Sequence, residues 1–102
     1  MLADKALEDF RIYLNSKNAS DLTIGAYQTD LIQFFEFASA ELGKDYTQVE
    51  VQEIDKYIVR SYLGQLTKKN LSRKSIARKL AAIRSFFKFL WREGIIAKSP
   101  VQ

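Results

Sequence analysis

The chain has no histidine and no cysteine. Without histidine, no His-based acid–base pair, catalytic triad or His-containing zinc cluster can be built. Without cysteine there is no disulfide and no thiol chemistry, a composition that suits a cytoplasmic protein. One proline and four isolated glycines, at 25, 43, 64 and 94, are too few turn formers for a β fold. They also leave no glycine-rich phosphate loop. No run approaches the roughly 18 apolar residues of a membrane helix, and no signal peptide opens the chain. Carboxylate pairs do exist, such as Glu8/Asp9 and Glu53/Asp55, but nothing apolar flanks them to raise a pKa. The expectation is a non-catalytic chain with no cofactor, no metal, no small-molecule substrate and no membrane partner.

Acidic residues are scarce at one end only. Residues 1–67 hold six Lys/Arg and eleven Asp/Glu, whereas residues 68–102 hold ten Lys/Arg and a single acid, Glu93. The net charge of +4 therefore conceals about −5 followed by +9. Most charged faces only keep a protein in solution. A cationic end set against an acidic remainder instead suggests a polyanion as partner. At 102 residues, 47% hydrophobic and 27% charged, the chain suits one soluble domain with one core.

Apolar periodicity predicts an all-α chain of four helices. The first spans Ala3 to Ser16, with Leu7, Phe10 and Leu14 along its buried stripe. Ser20 and Asp21 offer caps for a second, Asp21 to Leu42, whose stripe is Ile24, Tyr27, Leu31, Phe34, Phe35 and Ala38. Its outer wall carries Gly25, Gln28, Thr29, Ile32 and Glu36, and only the N-terminal half is free of acid. Thr47 and Glu50 have the spacing of a capping box. A third helix follows at Glu53 to Thr67, stepping through Ile54, Ile58, Tyr62 and Leu66. Tyr13, Tyr27, Tyr57 and Tyr62 all fall on or beside apolar stripes, so core packing is expected for each.

The last helix begins after Ser72, a good N-cap, and ends at Gly94, which suits a left-handed C-terminal cap followed by the apolar Ile95. Two patterns overlap on it. Ile76, Leu80, Ile83, Phe87 and Leu90 recur at spacings of four and three and define a core seam. At about 100° per residue, the opposite wall carries Lys74, Arg78, Ala81, Ser85, Lys88 and Arg92. Small residues between long cations let a helix come close to a surface while the charges reach past it, as in a DNA groove. Lys74, Arg78 and Lys88 are then expected to reach phosphates or base edges, with Arg73, Lys79 and Arg84 as flanking phosphate contacts. From the second helix, Thr23, Gln28 and Thr29 would add neutral contacts, Gln28 being the residue suited to adenine.

The segment S20-D-L-T-I-G-A-Y-Q-T-D-L, followed by F34-F-E-F, resembles the T-x-x-x-Y-x-x-D-L-x-x-F signature of the N-terminal core-binding domain of tyrosine recombinases. The segment L71-S-x-x-S-I-A-R-K-L-A-A-I-R-S-F-F-K-F-L, then G94-I-I-A-K-S-P, resembles that domain's last helix and exit. Xer-type chromosome-dimer resolvases and phage integrases share this pattern. One departure is Ser99, where the family usually has Asn before the proline.

The resemblance implies a single SAM-like orthogonal bundle of four helices, forming half of a C-shaped clamp on double-stranded DNA. Its second and fourth helices would face the major groove, and Thr23, Tyr27, Ser75, Arg78 and Arg84 match family positions. It further implies a core-binding domain at 1–98, with 99–102 starting a linker to an absent C-terminal catalytic domain. The longer protein would act as a tetramer on DNA, whereas this domain alone would be monomeric. The rival expectation is a helical protein–protein module whose basic face meets an acidic partner. On that view Phe86, Phe89 and Trp91, which the seam does not fully explain, form the contact patch.

Overall fold

The computed structural model describes residues 1–101. Four α-helices form it: α1 Ala3–Ser16, α2 Asp21–Leu42, α3 Lys56–Lys68 and α4 Arg73–Arg92. Two single 3₁₀ turns, Tyr46–Gln48 and Val51–Glu53, lie between α2 and α3. The fold is all-α, as expected, with no strand among the described residues. None of the helices is long and apolar enough to cross a membrane. The last residue of the expected linker, Gln102, lies outside the described residues.

Local chemistry sets the helix ends. Ser20 caps α2 by accepting from the Thr23 N–H at 3.1 Å, and Ser72 caps α4 by accepting from the Ser75 N–H at the same distance. Asp55 caps α3, accepting from Tyr57 and Ile58. Helix α1 has no side-chain cap. Its first N–H is instead satisfied by Val49, since Ala3 donates to the Val49 carbonyl at 2.9 Å while Val51 donates to Met1 at 3.0 Å. That short antiparallel bridge ties the N-terminus to the segment before α3.

At the C-terminal ends a left-handed residue follows every helix: Asn18, Gly43, Asn70 and Gly94, with φ between 59° and 72°. After α4 the Gly94 N–H donates to Trp91 and the Ile95 N–H to Leu90, so two otherwise orphaned carbonyls are paired. The expected capping box is displaced. Asp45, not Thr47, caps the first 3₁₀ turn, and the reciprocal pair is Glu50 with Glu53. Helix α3 accordingly starts three residues later than the apolar stepping suggests.

Phenylalanines dominate the core. Phe10, Phe34, Phe35, Phe86 and Phe87 are fully buried, and their rings meet mostly edge to face. Phe86 of α4 touches Phe10 of α1 at 5.5 Å and Phe35 of α2 at 5.7 Å, between centroids. Phe34 carries the cluster on to Tyr62 of α3 at 5.2 Å. The buried face of α4 is therefore turned from the expected seam: Ala82, Ile83, Phe86, Phe87, Phe89 and Leu90 are buried, whereas Ile76 and Leu80 are only half-buried. Tyr57 departs further, being 62% exposed at the start of α3 with the Lys56 ammonium over its ring.

Candidate nucleic-acid interface

Helix α4 turns Arg73, Lys74, Ala77, Arg78, Ala81, Arg84, Lys88, Trp91 and Arg92 to solvent, with Ser85 half-buried among them. This is the basic wall interrupted by small residues that the periodicity predicts. Among the described residues, Arg73, Lys74, Arg84 and Lys88 make no salt bridge. Arg92 donates to the Tyr13 hydroxyl at 3.2 Å and is anchored to α1. Arg84 sits at the edge of the wall, where a groove begins between α3, α4 and the C-terminal tail; Lys56, Arg60, Lys98 and Pro100 also line that groove.

One carboxylate reaches the wall. Asp30 of α2 is 1% exposed and lies beneath the first half of α4. Arg78 donates to it through Nε at 3.0 Å and Nη2 at 2.9 Å, while the Lys79 ammonium donates to Oδ1 at 2.9 Å. Lys79 also donates to the Gln33 side chain. The hydrogen bonds to Asp30 push the Arg78 guanidinium above its already high ordinary value. Two cations thus surround one carboxylate, and the cluster keeps a net positive charge. Arg78 remains half in water, with its side chain 53% exposed.

Lys79 corrects the expectation of a flanking phosphate contact. It is 7% exposed, points inward and is spent on Asp30, because position 79 falls at the middle of the buried face rather than beside the wall. Gln28 is partly engaged within the protein: one of its amide N–H groups donates to the Leu7 carbonyl at 3.2 Å, tying α2 to α1, while its amide oxygen and second N–H take no part in that bond.

Thr23 and Thr29 are exposed on α2. The Thr23 and Ser75 hydroxyls each accept from a capping serine, Ser20 at 2.9 Å and Ser72 at 3.0 Å. Each therefore keeps its own O–H free to donate outward. Tyr27 is half-buried against the core. Phe86 and Phe89 are buried, so the aromatic patch of the protein-interaction reading shrinks to Trp91, 54% exposed.

Asp30 is the one site residue that the sequence expectations do not include. It lies within the quoted signature but between the apolar positions Tyr27 and Phe34. The signal that could have found it is its three- and four-residue spacing to those neighbours, matched by Lys79 at four and seven residues from Ile83 and Phe86. An acid and a base each interrupting an apolar face mark a candidate buried pair.

Residues 7–94 match the family model described as phage integrase, N-terminal SAM-like domain. A tyrosine recombinase XerC from Pelotomaculum thermopropionicum is 40% identical over 96 residues, covering 93% of this chain and 31% of the relative. The XerC of Chlorobaculum tepidum is 41% identical over 97 residues, covering 93% of this chain and 29% of its own length. That of Listeria monocytogenes is 39% identical over 97 residues, covering 94% and 31%. The chain thus spans about a third of the length of the curated relatives it matches. No solved structure gives a significant match.

Proposed function

Because the chain belongs to the phage integrase N-terminal SAM-like domain family, we propose that it is the DNA-holding, non-catalytic arm of a site-specific tyrosine recombinase. Duplex DNA lies along the exposed wall of α4, and the start of α2 contributes Thr23 and Thr29. Lys74, Arg78 and Lys88 reach phosphates or base edges along the groove; Arg73 and Arg84 bind phosphates at its rims, and Ser75 donates from the first turn. The observation that carries this reading is the row of exposed cations around Ala77 and Ala81 on a chain whose first two thirds are acidic. Such a surface attracts a polyanion and lets the helix barrel approach it.

On this reading residues 1–98 form the DNA-binding unit, and Ser99 starts the linker to the catalytic domain of a longer cytoplasmic protein. That protein recombines DNA as a tetramer, while the present chain alone is a monomer that binds DNA weakly. Half of the clamp would be supplied by the catalytic domain, so affinity in the non-specific range of roughly 10⁻⁴–10⁻⁶ M is expected.

The test is fluorescence anisotropy on a labelled duplex across a salt series. Each lost phosphate contact flattens the slope of log K against log salt by about 0.9. The variant Lys74→Ala/Arg84→Ala/Lys88→Ala should therefore flatten it by between about 2 and 3, while Lys5→Ala/Lys17→Ala, on α1 and at its C-terminal cap, should leave it unchanged. Equal affinity and slope for the wall variant would overturn the assignment.

A further inference from the structure

An arginine carries five N–H donors in one plane, arranged as two forks. In Arg78 the side-on fork, Nε–H with one Nη2–H, is filled by the two Asp30 oxygens at 3.0 and 2.9 Å. The end-on fork, formed by the other Nη2–H and an Nη1–H, has no partner among the described residues. Asp30 is the fixed member of the pair. It is 1% exposed and held a second time by Lys79, itself anchored on Gln33. Stapling α2 to α4 would need only the buried Lys79, since the half-exposed Arg78 adds little stability through its charge. Its two-point geometry instead fixes where the remaining fork points.

On the reading that α4 faces DNA, we infer that Asp30 is a positioning residue that makes Arg78 a reader of a guanine edge. The end-on fork matches the paired O6 and N7 acceptors of guanine in the major groove. A phosphate gains more from a cation without a carboxylate beside it, and Lys74 and Lys88 supply such cations on the same wall. Holding the guanidinium rigid removes the rotamer freedom it would otherwise lose on binding. Arg78 is therefore the residue of the wall that specifies, and its lysine neighbours position.

Selection from a library of short random-sequence duplexes tests this, using the wild-type chain, Asp30→Asn, Arg78→Lys and the double variant. Wild type should enrich a G·C pair at one position. Asp30→Asn and Arg78→Lys should each reduce the preference there about tenfold or more, without flattening the salt slope. The double variant should lose no more than either single one, because both remove the same fork. A loss of affinity spread evenly over all sequences would overturn the proposal. So would an Asp30→Asn effect of full size in the Arg78→Lys background, which marks a merely structural role. If Asp30→Asn does not fold, Asp30→Asn/Lys79→Met removes the buried charges together and is read the same way. A wild-type chain that binds no duplex sinks the DNA reading itself. Binding with a wall-dependent salt slope, and discrimination retained in the Asp30 variant, sinks only the positioning role.

Discussion

Asp30→Ala is expected to destabilise the fold by about 3–5 kcal/mol. The substitution leaves the Lys79 ammonium, whose side chain is only 9% exposed, with the Gln33 amide oxygen as its one remaining partner among the described residues. A buried cation without its carboxylate cannot recover the hydration it gave up on folding. Arg78 contributes much less to the loss, because it can turn into water. Urea unfolding at neutral pH measures the effect directly, as a lower midpoint at unchanged slope. Asp30→Asn/Lys79→Met should come far closer to wild type, since removing both charges leaves neither stranded. A cost below about 1 kcal/mol for the alanine variant would mean that Lys79 escapes to solvent, against the burial described for it.

Phe86→Ala carries a comparable penalty, about 3–5 kcal/mol. Phe86 is the ring at which α1, α2 and α4 meet, through Phe10, Phe35 and Phe87, and it has no exposed surface. Deleting it opens a cavity that three helices would have to close at once. Trp91, five residues later on the same helix, is the larger side chain but is 54% exposed. Trp91→Ala should stay within about 0.5 kcal/mol of wild type. Paired thermal and urea melts of the two variants check the ordering, and the reverse ordering would contradict the helix orientation.

That orientation marks the limit of what the sequence disclosed. Helix α1 and helix α2 match their expected bounds, because Ser20, Asn18 and Gly43 are strong local signals placed next to regular apolar stripes. On α4 the limits were equally legible, from Ser72 and Gly94, but the buried face was not. Lys79 sits at the centre of that face, and a charged residue there steers a hydropathy pattern toward Ile76 and Leu80. Lys79 can occupy the core because it and Asp30 satisfy each other across 49 positions of sequence, a pairing that no local window contains. Tyr57 failed for a different reason. The 3₁₀ turn at Val51–Glu53 and the Asp55 cap delay α3, so its first turn presents Tyr57 outward.

The wall itself survived this rotation because its cations are spread over a broad arc. Lys74, Arg78, Arg84 and Lys88 are exposed as expected, whereas Lys79 and Gln28 turned out to be engaged within the protein. Arg78 was anticipated as a cation but not as one clamped from beneath. On the proposed reading, that difference would separate a surface that merely attracts DNA from one that discriminates between sequences.

Titration of the ¹⁵N-labelled chain with a short unlabelled duplex, followed by amide shifts, locates the bound face without presupposing any variant. The account predicts that shifts concentrate on residues 73–92 and on the opening turns of α2 around Thr23 and Thr29, and fade as salt is raised. Shifts confined to α1 or α3, with the amides around Lys74, Arg78 and Lys88 unmoved at saturating duplex, would contradict it.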